Sequence, residues 1–593
     1  MQASTPIITE IFNSNTLLRI PYFQRRYVWE EKDWQRFAVD MESTLYSDRK
    51  YFLGAIILKD EGTNMEERMR GIARKLLVID GQQRLTTLAI YMKVLHMMVG
   101  RNELFCSQYL QDNGSKDPIV IHSSEDRKDF EKIMHLSSPQ ILNGGNNVIK
   151  AYNYFLSFLQ DTKNQGEVSL NALLNMVNSN VTFVSISLDY KDDEQQIFDT
   201  INSLGVPLTT DELLKNFLYE EKDEQAYRDN WRIMFDTNEA SDFWGTDAAK
   251  SRQAKTNATK TIERFLHAFV RIKMWDFKDQ LDEMQRKNFV KSENVFSTCK
   301  AFVEIFHTSK QDLANEIIAY AKLFKEHLGD KVLSIRIPQH VGIKRLSCLI
   351  NATQSYAVVP YVLYILKNVS DESERNLIFG YLESYLVRRI IAGSKSNNYS
   401  DLFSENLIGQ RINTYEDLKS YISDKDEESS LAMPKNSKVV YGLNNRRFDE
   451  TTARIVFYLY ETKLTKTSTQ TFSGGYSRYY AEQLMPSPGK ATEQTWPACE
   501  DPIDEENRKQ LIKTLGNYFL LDDVDDKILK KAHNDVFEDK KSILIQWTKG
   551  IRSSEIMDDA TKKEKFQKWD VMTITNRNNT FARIINDNIW KGE

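Results

Sequence analysis

The sequence predicts an α+β chain: a mixed region over residues 1–225, a largely helical stretch over 226–430 and a smaller α/β region over 431–593. Three observations predict it. The stretch KLLVIDGQQRLTTLAIYMKVLHMMV (residues 75–99) passes from a β-branched apolar run through Asp80-Gly81 into apolar residues at helical spacing, Leu85, Leu88, Met92, Leu95 and Val99. Two more runs of strand length, YFLGAIIL (51–58) and VTFVSISL (181–188), lie in the same region. Beyond residue 226 the apolar positions recur with helical period, as in TIERFLHAFVRIKM (261–274) and the segment 311–328 with Leu313, Ile317, Ile318, Ala321 and Phe324 on one face.

Length and composition bound the function. A chain of 593 residues has material for about three or four domains. Apolar content is ordinary and charge is plentiful, so the chain is globular rather than disordered. A net charge of −5 restricts any nucleic-acid contact to a local patch. The four cysteines, Cys106, Cys299, Cys348 and Cys499, lie far apart and show no CxxC spacing. That argues against a cysteine-built zinc site or a disulfide scaffold and fits a reducing cytoplasm, the expected location. No run approaches about 18 clean apolar residues, and no basic-then-apolar leader opens the chain, so neither membrane span nor signal peptide is expected.

Along the chain, residues 8–12 start a short helix and 17–21 are extended, because the residue before a proline avoids the helical region. PYFQRRYVWE (21–30) interleaves Tyr22, Phe23, Tyr27 and Trp29 with Gln24, Arg25 and Arg26. Such a mix suits stacking on a base and holding phosphate, and it equally suits a hydrophobic anchor carrying surface arginines. Residues 34–45 form an amphipathic helix, and Gly54 inside the strand-like run 51–58 implies close approach by another group. The junction at Asp80-Gly81 would leave backbone N–H groups and the positive end of a helix dipole at one point, a seat for phosphate. Arg84 offers a fork for phosphate oxygens, and Asp80 can face a metal ion or an arginine. A bland alternative is that the Gln82, Gln83 and Arg84 side chains tie loops together. Residues 107–165 read as polar helices with loops. In NSLGVPLTTDELLKN (202–216), Asn202, Gly205 and Pro207 form a loop, and Thr209 with Glu212 makes a capping box that starts a helix.

These motifs occur together in one family. IPYFQRRYVW, YFLGAIIL, VIDGQQRLTTL and FDTINSLGVPLTTDELLKN, in that order, resemble the GmrSD family of modification-dependent restriction proteins, with its BrxU and SspE relatives. The resemblance implies a ParB/sulfiredoxin-like N-terminal domain that binds and hydrolyses a nucleoside triphosphate (GTP, ATP or CTP) and senses modified phage DNA. The family's DGQQR motif falls on Asp80, Gly81, Gln82, Gln83 and Arg84, and its QR motif on Gln24 and Arg25. Where family members often carry Tyr before QR, this chain has Phe23. In the mechanism so implied, Arg84 and the amides near Gly81 hold phosphates, with Gln82 beside them. Gln83 joins Asp80 and Arg84 in catalysis. Gln24 and Arg25 close the pocket, and Asn202 and Asp211 complete its polar wall. Asp80 orients Arg84 or a Mg²⁺ or Mn²⁺ ion.

The resemblance continues, with a departure, at the C-terminal end. The segment LESYLVRRIIAG with NNYSDLF looks like the family's helical middle, where Arg388, Arg389 and Lys395 are placed to touch DNA phosphate or simply to complement a helix C-terminus. Residues 424–437 read as a linker, and RIVFYL (454–459) as the start of the last domain. The family implies an HNH-type nuclease there, with the pattern EHILPQ, Trp, GNLTLL and a Lys-Lys segment. This chain has Glu482-Gln483-Leu484-Met485-Pro486-Ser487, Trp496, GNYFLL (516–521) and FEDKK (537–541). Gln483 stands where the family has its catalytic histidine. A glutamine amide cannot act as general base, and losing one costs on the order of 10² to 10⁴-fold in rate. His533 is the only histidine left in this region, a candidate metal ligand or substitute base with Asn517 beside it. Two readings stay open. In one, both regions are enzymes, an NTPase and a DNA endonuclease. In the other, the nuclease region is degenerate and the chain is a nucleotide-gated sensor acting with a separate partner protein that cuts. A ParB-like DNA switch outside defence is a third. Homo- or hetero-oligomers fit each.

Overall fold

The computed structural model describes residues 2–22, 24–47, 50–69, 71–111, 116–122, 124–166, 168–188, 209–245, 260–426, 429–464, 474–485, 502–522 and 569–592. The chain is mixed α+β and divides into two compact units, Met1–Ile233 and Met234–Glu593. Among the described residues, no helix is long and apolar enough to cross a membrane.

The first unit is built on a mixed sheet in the order β1-β6-β3-β4-β2-β5. Its strands are β1 (Gln2–Ser4), β2 (Thr16–Arg19), β3 (Tyr51–Asp60), β4 (Arg74–Asp80), β5 (Val120–Ile121) and β6 (Val181–Leu188). β4 runs parallel to β2 and antiparallel to β3, while β3 runs parallel to β6. The chain therefore leaves β2, β4 and β5 at the same edge of the sheet. β4 alternates as a two-sided strand must. Leu76 and Val78 point into the main core, and Leu77 and Ile79 join Ile57 and Leu188 in a small cluster. α1 (Ile8–Ile11) and α2 (Glu31–Thr44) contribute Ile8, Ile11, Trp34, Phe37 and Met41 to that main core. α3 (Asn147–Gln165) and α4 (Leu170–Asn180) also pack into it, around the long central helix Gln82–Met98.

That central helix departs from the expected one-faced pattern. From Leu85 to Met97 all its side chains are buried, including Lys93 and His96. Burial pushes Lys93 down to about 8, and its ammonium is held by Asn102 and the Phe105 ring. β5, only two residues long, lies within the stretch expected to be helices and loops. The capping box at Thr209 and Glu212 is present at the start of helix Thr210–Leu218.

The second unit is mostly helical and carries one two-stranded sheet among its described residues, β7 (Tyr479–Gln483) antiparallel to β8 (Tyr518–Asp522). Buried polar pairs hold it together. Arg345 grips Glu383 through two hydrogen bonds of 2.8 and 2.7 Å and also bonds Thr462 and Leu459 O. Burial alone would raise the Glu383 carboxyl, but the Arg345 charge beside it holds it below the usual range. Arg388 and Arg389 are 0% and 1% exposed, so neither reaches a DNA backbone. Their guanidiniums instead bind the carbonyls of Pro434 and Trp590 (Arg388) and of Ala432, Lys395 and Ser430 (Arg389). The described part of the segment expected as a linker is thus fastened to helix Glu372–Ala392 rather than loose.

Candidate functional site

The turn from β4 into helix Gln82–Met98 adopts a geometry that only glycine enters easily. Gly81 is the N-cap, with φ +98°, and a Cβ there would come within 2.6 Å of Ile56 Cγ2. No side chain caps the helix, and its first turn carries no acidic residue. The first backbone bond back to the cap is Leu85 N to Gly81 O, so the amides of Gln82, Gln83 and Arg84 have no intrahelical partner. The positive end of a 17-residue helix therefore sits beside Asp80 and Arg84.

Arg84 Nη2 donates to Asp80 Oδ2 at 3.0 Å, and the two side chains keep 24% and 35% of their exposure. Arg84 lies over β3 at the point where the strand is broken. The β3–β6 register shifts between Phe52 and Ala55, and Gly54 has φ +121°. A Cβ on Gly54 would fall 2.4 Å from Arg84 Nη1. The close approach expected at this glycine is the arginine of the motif thirty residues downstream.

The glutamines have a different task. Gln82 Nε2 donates to Arg25 O, and Gln83 Nε2 donates to Arg26 O while its Oε1 accepts from Val28 N. Gln24 Nε2 donates to Val78 O and Ile79 O at the end of β4. All three side chains are under 9% exposed. They lace the loop after β2 to the turn after β4, as the bland alternative expected, instead of offering amides to a ligand. The aromatic residues of that loop are anchors as well. Tyr22 donates to Glu220 O, and buried Tyr27 shares hydrogen bonds with Thr87 and Trp34. Arg25 is half-buried. Asp211 stands in the first turn of helix Thr210–Leu218, where a carboxylate suits the dipole. Asn202 and Phe23 lie outside the described residues.

Two residues that sequence reasoning passed over complete this edge. Asp126 Oδ2 accepts from Tyr27 N at 2.6 Å, and His122 Nε2 meets Thr86 Oγ1 at 3.0 Å. Burial pushes His122 down to about 3, so it is neutral at any ordinary pH. The signal was there in PIVIH (118–122): a β-branched run ending in a polar residue.

In the second unit, Gln483 ends β7, opposite Tyr518, and donates to Ile512 O at 3.1 Å. Asn517, expected at a catalytic centre, is 0% exposed. Its Oδ1 accepts from Met485 N and Trp569 Nε1, and its Nδ2 donates to Met485 O and Ile512 O. That amide is saturated by structure, and nothing is left to meet a substrate. His533 lies outside the described residues.

No three His, Cys, Asp or Glu side chains gather as a metal set among the described residues. Asp80, the expected metal ligand, accepts from Arg84 through one oxygen. Residues 8–219 match the family described as GmrSD restriction endonuclease, N-terminal domain. No curated protein matches the chain.

Proposed function

Starting from a first unit that matches a restriction-endonuclease N-terminal domain, we propose that the chain is an anti-phage restriction protein whose first unit binds and hydrolyses a nucleoside triphosphate. The observation that carries this reading is the uncapped N-terminus of helix Gln82–Met98 with Arg84 beside it. Free amides and a helix dipole favour phosphate. The guanidinium, preset by Asp80 and slotted over Gly54, can fork onto two phosphate oxygens. Arg25 extends the positive side of the site. Any Mg²⁺ would arrive with the nucleotide, held chiefly by its phosphates. Nucleotide binding then biases how the second unit engages modified DNA.

For cleavage, the second reading has a specific observation behind it. On the resemblance Gln483 stands where the family has its histidine, and its Nε2 donates to Ile512 O. We therefore assign the β7–β8 region to DNA or partner binding, with cutting by a separate protein. Arg84→Ala should abolish NTP hydrolysis while shifting the melting temperature little, because a half-exposed ion pair contributes about 0–1 kcal/mol. Hydrolysis at the wild-type rate would sink the site. Incubating the purified chain with modified or unmodified phage DNA, each NTP, and Mg²⁺ or Mn²⁺ tests the division of labour. Hydrolysis without cutting is the expected result.

A further inference from the structure

Thr86 and Thr87 stand two and three positions after Arg84, and both are buried. In a helix buried all round, an apolar residue would pack as well there without a hydroxyl to satisfy. The two hydroxyls are placed alike. Thr86 Oγ1 donates to Gln82 O and Thr87 Oγ1 donates to Gln83 O, each at 2.7 Å. A threonine bonding the carbonyl four residues back is ordinary in a helix. Here each hydroxyl also takes a hydrogen bond from a buried group behind it.

A hydroxyl has one proton to give. Thr86 gives its proton to Gln82 O, so at 3.0 Å His122 Nε2 is the donor to Thr86 Oγ1. Thr87 gives its proton to Gln83 O, so at 2.6 Å the Tyr27 hydroxyl donates to Thr87 Oγ1. Trp34 Nε1 in turn donates to the Tyr27 hydroxyl at 2.8 Å. Two chains of donors thus run through the core toward the same turn, one from His122 to Gln82 O and one from Trp34 to Gln83 O. The peptide that carries Gln82 O also carries the N–H of Gln83, and the peptide that carries Gln83 O carries the N–H of Arg84. These are two of the amides left without an intrahelical partner.

We propose that His122, Thr86, Tyr27 and Thr87 are positioning residues for phosphate, holding and polarising the Gln83 and Arg84 amides from the protein side. The inference rests on the reading of the Arg84 turn as a nucleotide site. A hydrogen bond on a carbonyl draws charge from the N–H of the same peptide and makes it a stronger donor, and chains reinforce one another by about 10–30% per bond. The chains also fix both peptide planes, so the amides face an arriving oxyanion without reorienting. Burial keeps His122 neutral, with its proton on the nitrogen that faces Thr86.

The test uses the full chain, with inorganic tripolyphosphate as the calorimetric probe and steady-state hydrolysis of GTP, ATP and CTP beside it. His122→Phe keeps a ring beside Phe130 and leaves Thr86 bonded to Gln82 O, but removes the donor behind it. His122→Gln restores an N–H. Tyr27→Phe removes the donor of the other chain, and unliganded melting checks each fold. Tripolyphosphate should bind roughly twofold more weakly in His122→Phe and about fourfold more weakly when Tyr27→Phe is added. KM for the triphosphate should rise by more than kcat falls, and His122→Gln should bind as the wild type does. If the double variant does not fold, the two His122 variants decide alone. Unchanged affinity in folded His122→Phe overturns the proposal. Equal weakening in His122→Phe and His122→Gln also overturns it, because packing and not the donor would then be the cause. Failure of the wild-type chain to bind tripolyphosphate, or binding that Arg84→Ala leaves unchanged, overturns the nucleotide reading of the turn and this inference with it.

Discussion

The turn at Asp80-Gly81 and the β7–β8 pair each place motif residues at a strand boundary, yet they finish in opposite states. At the first, the helix amides are left open and Arg84 is held by one carboxylate at partial exposure. At the second, every hydrogen-bonding position of the Asn517 amide is taken, and its side chain is sealed from solvent. Residue identity does not separate the two cases. The count of unspent donors and acceptors does, because a group that is saturated in the folded state has nothing to offer a ligand without first breaking the fold.

The sharpest way to break this contrast is Asn517→Ala. It removes four buried hydrogen bonds and strands their backbone partners, so unfolding free energy should fall by about 3–5 kcal/mol, read by chemical denaturation. Unchanged stability would show that this amide network is not structural. On the open side, Gly54→Ala forces a strained φ and a clash with Arg84, at about 1–3 kcal/mol, and should cost nucleotide hydrolysis as well. Wild-type hydrolysis in Gly54→Ala would show that the slot does not position Arg84.

Acid tests the same edge of the sheet. His122 is held neutral in the fold, so the unfolded chain binds its proton first, near pH 6.5. Stability from this residue is complete above that pH and falls, as pH drops toward about 3, by up to about 1.4 kcal/mol per pH unit. His122→Gln should flatten that part of the curve. The smallest effect is expected from Gln483→Ala, which loses the hydrogen bond to Ile512 O, about 1 kcal/mol, read by chemical denaturation. Weakened DNA binding at unchanged stability would give this position a role in ligand contact.

Local patterns were readable where a single period or a special backbone angle decides the outcome. β6 falls on residues 181–188 as expected, β4 and the helix after it straddle Gly81 as expected, and the approach to Gly54 is real. Long-range pairing was not readable. Nothing near Gln82 or Gln83 announces that their partners are the carbonyls of Arg25 and Arg26, 57 positions upstream. Nothing in VRR says that both arginines turn inward to hold a segment that looks like a linker. A charged side chain reads as surface until the carbonyls that enclose it are known.

The buried set around helix Glu372–Ala392 also dictates a folding schedule. Glu383 accepts from Trp590 Nε1 across 207 positions, and Arg388 binds Trp590 O across 202. At a synthesis rate of roughly 5–20 residues per second, this helix waits on the order of 10–40 s before the last partners of its charges exist. Until then the Arg388 guanidinium keeps part of its hydration, while Glu383 already has Arg345. Such long-range pairing favours slow closure of the second unit. The first unit can complete its sheet as soon as β6 has emerged.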